Sequence, residues 1–395
     1  ALANLVDGCQ LGTEVEVWFE ADDAELLGLP FEALRLKDDR LLATLPPVVV
    51  LRRSLGPPVQ HHEALAGPLK ILVAVAAPDQ ELTTEVALDQ ERELQHILDA
   101  TEEAQRRENV EVRFLEVGHP DVIAAAFERD AYHVLHVSCH GMPGQLELED
   151  EDGRAVPTAA GELLDPIRGT GRPLPLVFLN TCHGGVEAGQ TASLAEELLL
   201  AGLPCVLAMQ TSVSDYYATQ LARAFYEHLS TREILLPSRA LAQARKDLER
   251  ARLQKVQRGA PLAETQPEYA TATLFVAGEE EPRLADFALD KRPLHARPVH
   301  HMAGPVLQLS VDDLIGRRKA LREVLGVLRD ERGAYAGVVL TGIGGVGKSA
   351  LAGRAMRRLA EAGFVVAAHV GPWDLQGIAL GLGDGRALAG ISSKD

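Results

Sequence analysis

Two short segments carry the residue types that nucleophilic catalysis by cysteine requires. His140 and Gly141 end the segment HVSCHG (136–141), and Cys182 lies within LNTCHGG (179–185). An imidazole within hydrogen-bond reach of a thiol takes its proton, and the thiolate then attacks a carbonyl carbon. The backbone N–H groups of Gly141 and Cys182 are candidate donors to the oxyanion that develops in this attack.

The spacing alone leaves three interpretations of these segments open. The first is a catalytic pair, and the second is ordinary packing, since a cysteine or histidine at a strand end is usually a core residue. The third is a zinc site. Adjacent strand residues point to opposite faces, so each Cys-His dipeptide supplies only one zinc ligand easily. The four residues concerned are Cys139, His140, Cys182 and His183.

A second segment, GIGGVGKS (342–349), fits the phosphate-binding pattern G-x-x-x-x-G-K-[ST]. It follows the predicted strand GVVLT (337–341) and opens a predicted helix. Glycines let backbone N–H groups close around phosphates, the lysine meets the β- and γ-phosphate oxygens, and the serine hydroxyl holds Mg²⁺. The sequence therefore predicts an ATP and magnesium site formed by Gly342, Gly344, Gly345, Gly347, Lys348 and Ser349.

The elements that must position the first two segments are apolar runs alternating with helical stretches. Helical spacing recurs over 80–105, 121–129 and 215–229. This alternation predicts a doubly wound α/β fold with a mostly parallel sheet, whose carboxyl edge would hold His140 and Cys182 about 4.8 Å apart in strand spacing. The predicted strands are LKILVAVAA (69–77), VEVRFLEV (110–117), YHVLHVS (132–138), PLVFLN (175–180), PCVLAMQ (204–210) and ATLFVAG (272–278).

The rest of the chain is assigned around this core, which ends at residue 278. Residues 1–66 are predicted to be an N-terminal extension that adds the strands TEVEVWFE and PPVVVLRR. The Pro-, His- and charge-rich stretch 279–308 is predicted to be a linker. Residues 309–395 are predicted to be the start of a P-loop α/β domain with a helix at 317–331 and a further strand at 364–370. Too few residues follow the loop for a whole NTPase, so this domain is expected to be truncated.

Composition excludes several functional classes. The chain has 39 basic and 57 acidic residues and a net charge of −18, which argues against a general nucleic-acid binder. No apolar run approaches the roughly 18 residues of a membrane span, and the first residues do not resemble a secretory signal. Four cysteines are too sparse for a disulfide scaffold and fit a reducing cytoplasm. Cys9 and Cys205 are expected to be packing residues.

The motifs together resemble the bacterial CHAT peptidase domain, a caspase-like cysteine peptidase, over roughly residues 1–278. The resemblance implies that His140 and Cys182 are the catalytic dyad, that the substrate is a protein, and that proteolysis needs no cofactor or metal. His183 is then a pocket-wall residue. The segments that carry the resemblance are FEALRL (31–36), HVSCHG, LELEDEDG (146–153), LNTCHGG, AGLPCVLAMQTSVSD (201–215) and FYEHL (225–229).

The segment DLIGRRKALREVL (313–325) resembles the sequence that introduces the P-loop domain of STAND-class signalling NTPases. This resemblance implies a nucleotide-controlled effector that oligomerises through its NTPase and acts in bacterial defence or stress signalling. The alternative is a signalling NTPase in which the caspase-like fold is a non-catalytic docking module. The intact His140 and Cys182 pair favours the enzyme.

Two acidic features leave further alternatives. Asp215 follows a predicted strand toward the same sheet edge as Cys182, where a carboxylate would select Arg or Lys in a substrate. It also directly precedes a helix, where it would be an N-cap. The stretch LELEDEDG (146–153) is predicted to be a strand and turn with solvated charges rather than a Ca²⁺ site.

Overall fold

A computed structural model gives the fold of the chain. It describes residues 2–8, 14–21, 24–45, 48–54, 64–78, 90–115, 117–142, 144–150, 152–181, 190–210, 213–230, 235–294, 317–329, 335–361, 364 and 366. The contacts between Cα atoms divide the chain into two compact units, residues 1–294 and 295–395.

The first unit alternates strands and helices along the chain. Its strands are β1 (Val15–Ala21), β2 (Val48–Ser54), β3 (Leu65–Ala66), β4 (Leu69–Val75), β5 (Val110–Leu115), β6 (Val134–Met142), β7 (Gln145–Glu149), β8 (Ala155–Thr158), β9 (Leu176–Thr181), β10 (Cys205–Met209), β11 (Ala272–Val276) and β12 (Ala285–Asp286). Its helices are α1 (Leu2–Asp7), α2 (Ala24–Leu27), α3 (Gln90–Arg106), α4 (Pro120–Arg129), α5 (Ala160–Gly169), α6 (Gln190–Leu200), α7 (Asp215–Ser230) and α8 (Pro237–Gln257).

The main sheet has the strand order β1-β2-β11-β10-β9-β6-β4-β5. The five strands β5, β4, β6, β9 and β10 are parallel, whereas β11 runs antiparallel to β10 and is parallel to β2, which is parallel to β1. The predicted α/β fold with a mostly parallel sheet is therefore confirmed. The two predicted strands of the N-terminal extension extend this sheet at one edge.

Helices cover both faces of the sheet, as the alternation of apolar strands and amphipathic helices requires. Side chains of α4, α5 and α6 pack with alternate residues of the central strands, including Leu135, Val137 and Cys139 of β6, in one buried apolar cluster. On the opposite face α3 packs on α7 and α7 on α8. The helix predicted over 215–229 is confirmed as α7, whose Leu221, Phe225 and Leu229 form one buried face at i, i+4 and i+8.

A charged cluster, with Lys70 and His133 buried and Asp130 and Arg292 partly buried, lies at the amino edge of the sheet, where the parallel strands begin. The Lys70 ammonium donates hydrogen bonds to the Asp130 carboxylate and, over 2.7 Å, to the Pro293 carbonyl. The Lys70 backbone N–H donates to His133 Nδ1 over 2.8 Å. The Arg292 guanidinium donates to the carbonyl of Ala131 over 2.8 Å and contacts the His133 ring. We call Lys70, Asp130, His133 and Arg292 the amino-edge cluster.

The amino-edge cluster changes the expected end of the first unit. Residues 279–294 fall in the predicted linker 279–308, yet Leu284 is buried and β12 pairs with β3. Arg292 also donates to the Ala66 carbonyl over 3.0 Å. The reason is that Leu284 and Arg292 pack against residues that are distant in the sequence. A composition rich in proline and charge does not reveal such long-range partners.

The stretch LELEDEDG forms the predicted strand and turn, β7 followed by Asp152 and Gly153. The expectation of solvated charges is wrong for two of its carboxylates, because Glu147 and Glu149 are buried. Glu149 Oε2 accepts a hydrogen bond from the Ala77 N–H over 2.9 Å. Strand β7 pairs with both β6 and β8, and consecutive residues Leu146 to Glu149 are buried, so side chains on both of its faces are covered.

The second unit contains α9 (Arg318–Arg329) and α10 (Lys348–Glu361). The two helices pack through a small apolar cluster that includes Leu321, Leu325 and Leu351. Residues 337–341 were predicted to be a strand but form none, and Val339 is 85% exposed. A strand needs a hydrogen-bonded neighbour, and none pairs with this segment among the described residues. The predicted strand at 364–370 falls almost wholly outside those residues.

No helix in the described part of the chain combines the length and apolar character that crossing a bilayer demands.

Candidate active site

The two strands that lead to the predicted dyad are neighbours in the sheet. Strands β6 and β9 are parallel, and their paired residues run from Val134 with Leu176 to Cys139 with Thr181. His140 is the residue after Cys139, and Cys182 is the residue after Thr181. Cys182 itself lies outside the described residues, as does His183, so the structure gives no distance between the imidazole and the thiol.

His140 is buried, with 6% of its surface exposed. It was predicted to follow a strand, but β6 continues through Met142 and pairs antiparallel with β7 beyond the parallel sheet. In this hairpin His140 is the register partner of Glu147, and Gly141 is the register partner of Leu146. The side chains of directly opposed residues project from the same face, so a buried carboxylate is His140's neighbour across the hairpin.

Cys139 belongs to the opposite face of β6 and packs in the apolar cluster with Leu135 and Val137. Burial raises the pKa of its thiol above the ordinary range. A thiol held protonated in an apolar core is a poor metal ligand, because zinc binds the thiolate. The side chains of Cys139 and His140 thus lie on opposite faces of β6. Among the described residues, no group of three ligand-type side chains could hold a metal ion. Cys205 is likewise buried and free.

Asp215 begins α7 near the carboxyl edge, but it is not the N-cap. Ser214 occupies that position, since its carbonyl accepts from the Ala218 N–H and its hydroxyl accepts from the Tyr217 N–H over 3.1 Å. Ser214 is itself held by the Glu268 carboxylate, 2.5 Å from the Ser214 nitrogen. Asp215 is thus a first-turn residue, where a negative charge interacts favourably with the helix dipole.

A buried polar cluster that the sequence did not reveal lies beneath the predicted site. Glu93 of α3 accepts hydrogen bonds from His136 Nε2 over 3.0 Å, from the Ser138 hydroxyl over 2.6 Å and from the Asn180 amide. The Tyr226 hydroxyl of α7 lies 3.0 Å from His136 Nδ1. All five side chains are buried. We call Glu93, His136, Ser138, Asn180 and Tyr226 the carboxyl-edge cluster.

Hydrogen bonding fixes the charge of this cluster. Burial acts to raise the pKa of Glu93, but the hydrogen bond and charge of His136 and the bonds from Ser138 and Asn180 lower it below the ordinary range. Burial, assisted by the Glu93 charge, raises the pKa of Tyr226, so its hydroxyl keeps its proton. Glu93 is therefore an ionised carboxylate that three donors stabilise.

The glycine-rich segment of the second unit forms a loop ahead of α10. Gly342, Gly345 and Gly347 have positive φ angles of 146°, 78° and 88°. These values belong to conformations that favour glycine, which explains the residue choice. The Lys348 ammonium folds back on the loop and donates to the carbonyls of Gly342 and Ile343 over 3.0 and 2.8 Å. Gly344 and Ser349 are exposed in the same loop and first turn.

Three solved structures resemble the chain at low identity. A secreted cysteine protease from Bacteroides thetaiotaomicron, in complex with an irreversible peptide inhibitor, is 9% identical with a TM-score of 0.36, over 47% of this chain and 60% of that one. The Arg-specific cysteine proteinase gingipain R is 13% identical with a TM-score of 0.38, over 61% and 56%. The Saccharomyces cerevisiae separase–securin complex is 12% identical with a TM-score of 0.35, over 64% and 15%. This chain thus spans less than two thirds of each.

No curated protein matches the sequence. Residues 3–296 match the CHAT domain family, and this range contains every strand from β1 to β12 and both buried clusters of the sheet. The match covers most of the chain and ends close to the boundary of the first compact unit. The chain therefore belongs to the CHAT domain family.

Proposed function

We propose that the first unit is a caspase-like cysteine endopeptidase that cleaves a partner protein. Cys182 is the nucleophile, His140 is the general base, and the Gly141 N–H is an oxyanion donor. The observation that carries the proposal is the parallel pairing of β6 with β9 up to Cys139 and Thr181. The residue after each of these is a member of the proposed pair, and parallel strand ends are where α/β sites form.

The chemistry proceeds in two steps. His140 takes the thiol proton, and the Cys182 sulfur forms a bond to the scissile carbonyl carbon; the amine leaves with the proton that His140 returns. Water then adds to the thioester, with His140 again taking a proton, and releases the carboxylic acid and the thiol. The burial of His140 limits competing water around the imidazole.

The test is proteomic mapping of new N-termini in cells that express the full chain, its Cys182→Ala variant or its His140→Ala variant. We expect cleavage products with the wild type only. Because the two residues act as a unit, the double variant should be no less active than either single variant. Cleavage that survives Cys182→Ala at a substantial level would overturn the assignment.

Asp215 is proposed as a specificity residue that selects Arg or Lys before the cut. The support is that Ser214, not Asp215, caps α7, and that the partly buried Asp215 lies in the first turn of this helix near the carboxyl edge of the sheet. A partly buried carboxylate selects a cationic side chain through charge-assisted hydrogen bonds.

We further propose that the glycine-rich loop of the second unit binds ATP with Mg²⁺ and that this STAND-like module controls the peptidase. The positive φ angles of three loop glycines and the position of Lys348 at the start of α10 support the proposal. The residues fit the group: the loop and helix N-terminus would hold phosphates, Lys348 would release its carbonyls for phosphate oxygens, and Ser349 would hold the metal. The bound metal and nucleotide supply charge neutralisation at the phosphates.

Calorimetric titration of the full chain with MgATP tests the loop. We expect binding that Lys348→Ala weakens, little or no hydrolysis, and unchanged basal peptidase activity in that variant. Equal affinity of wild type and Lys348→Ala would remove nucleotide from the proposal. Assembly through this module and a role in bacterial defence or stress signalling rest on the sequence resemblance alone, and the proposed cytoplasmic location rests on the small number of cysteines.

A further inference from the structure

The carboxyl-edge cluster joins four elements through one carboxylate. Glu93 belongs to α3, His136 and Ser138 belong to β6, Asn180 belongs to β9, and Tyr226 belongs to α7. Three separate donors reach the two oxygens of Glu93. Two of them belong to β6 and the third belongs to β9. An ionised carboxylate in a buried place is tolerated only when such donors replace its water.

The cluster is aligned along the two strands that carry the proposed dyad. Ser138 and Asn180 are register partners in the β6–β9 pair. Alternate strand residues share a face, so His136, Ser138 and His140 project from the same face of β6. Glu93 thus bonds to both β6 and β9 at the next-to-last residue pair of their described ladder, on the face of β6 that carries the imidazole.

The hydrogen bonds also fix the orientation of the Asn180 amide. Its nitrogen must face Glu93, because a carboxylate oxygen only accepts. Its Oδ1 is therefore directed away from Glu93 and is buried, with no hydrogen-bond partner among the residues that the structure describes. A buried acceptor left in this way is costly unless a donor reaches it. Asn180 lies two residues before Cys182, so a donor at the active site would satisfy it.

We propose that Glu93 is a positioning residue for the His140–Cys182 dyad. Its carboxylate holds the carboxyl ends of β6 and β9 at a fixed separation through its hydrogen bonds with Ser138 and Asn180. Its bond with His136 holds β6 at a second point, four residues before His140. This role rests on the proposed peptidase function. Glu93 touches neither substrate nor the reacting atoms, and it acts only through the geometry of the pair.

The experiment measures the rate of Cys182 alkylation by iodoacetamide against pH in the full chain, with the Cys182 peptide quantified by mass spectrometry. This rate reports the thiolate fraction and needs no substrate. In the wild type we expect fast alkylation at neutral pH that His140→Ala abolishes. Glu93→Gln should slow alkylation at pH 7 about tenfold and move its half-maximal pH upward, because misplacing a catalytic pair by a fraction of an ångström is costly.

Two further variants keep the test decisive. Ser138→Ala removes one donor with almost no change in volume, and it should shift the pH profile in the same direction if Glu93→Gln fails to fold. Asp130→Ala breaks the amino-edge cluster and should lower the melting temperature while leaving the profile in place. Glu91→Gln changes an exposed residue of the same helix and should match the wild type.

The outcomes separate the two claims. A His140→Ala profile equal to the wild-type profile would overturn the dyad and the positioning role with it. A His140-dependent wild-type profile that folded Glu93→Gln and Ser138→Ala both retain would overturn the positioning role alone. A shift in Asp130→Ala as large as that in Glu93→Gln would also overturn it, since general destabilisation would then explain the effect.

Discussion

The amino and carboxyl edges of the same sheet each hold a polar cluster. The two clusters are similar in composition and differ in the groups that surround their carboxylate. Each has an acid and a histidine, and each joins strand ends to another part of the chain. The carboxyl-edge cluster surrounds one carboxylate, Glu93, with side-chain donors from His136, Ser138 and Asn180. The amino-edge cluster pairs the Asp130 carboxylate with the Lys70 ammonium and with Arg292.

The two clusters bond to different kinds of group. The amino-edge cluster bonds to backbone carbonyls at Pro293, Ala66 and Ala131, so it joins residues 292 and 293 to the sheet. Within the described residues, the carboxyl-edge cluster is joined by bonds between side chains, three of which belong to β6 and β9 ahead of His140 and Cys182. Burial and hydrogen bonding are common to both; what differs is which end of the parallel strands they stabilise.

Asp130→Ala should give the largest loss of stability. The Lys70 ammonium is buried and would lose its closest anion, with Glu111 left 3.4 Å away. Removing one partner of a buried pair costs about 3 kcal/mol. Urea unfolding of the variant should show this loss together with wild-type Cys182 alkylation. A variant as stable as the wild type would mean that the Pro293 carbonyl and Glu111 compensate Lys70 fully.

His133→Asn should remove part of the acid sensitivity of the fold. Burial, followed by the Arg292 charge, lowers the pKa of His133 to about 3. The unfolded chain therefore binds a proton near pH 6.5 that the folded chain refuses, so this stability is present above pH 6.5 and is lost as pH falls toward 3. The difference in the free energy of unfolding between wild type and variant should therefore be smaller at pH 5 than at pH 7.5 by about 2 kcal/mol.

Urea unfolding at the two pH values measures that gap. Burial raises the pKa of Glu281 to about 7, which gives a pH dependence of opposite sign. Glu281 is present in both proteins and cancels from the difference. A gap that widens as pH falls would contradict a neutral, buried His133.

Tyr226→Phe should cost about 1 kcal/mol, because His136 Nδ1 would lose its hydrogen-bond partner in a buried place. Its effect on Cys182 alkylation should be smaller than that of Glu93→Gln, since the three donors to the carboxylate remain. Thermal unfolding and alkylation of the two variants side by side measure this order. A larger alkylation defect in Tyr226→Phe would make His136 the centre of the cluster instead of Glu93.

Asp215→Asn should have the smallest effect on stability, about 0.5 kcal/mol, because a first-turn charge is lost and the Ser214 cap is kept. Asp215 belongs to neither cluster, so its effect should fall on specificity. A peptide library should show loss of preference for Arg or Lys before the cut. A wild type that prefers apolar or acidic residues there would contradict the specificity role.

Local pattern predicted much of this fold because the strands are short apolar runs and the helices are amphipathic. The sequence also predicted that the strands leading to His140 and Cys182 share one sheet edge, because parallel strands all end at the same edge. Glu93 was missed because its partners lie 45 and 87 residues away in sequence. The one available signal is that Glu93 shares the buried face of α3 with Leu94 and Ile97.

Other errors have the same origin. Glu147 and Glu149 alternate with leucines, which is typical of a one-sided strand, but β7 is flanked by two strands and buried. The run GVVLT has the composition of a strand and lacks a partner among the described residues. Composition reports what a segment prefers, whereas burial of a charge and pairing of a strand depend on residues far along the chain.

The outer strands of the main sheet have a consequence for self-association. Strand β1 ends the sheet at one side with Glu16 and Glu20, and β5 ends it at the other with Glu111 and Arg113. Charged side chains on an edge strand disfavour its docking against the edge of a second molecule. These charges thus disfavour pairing of the edge strands of one molecule with those of another. We expect a concentrated solution of this protein to resist fibril-like association through these edges.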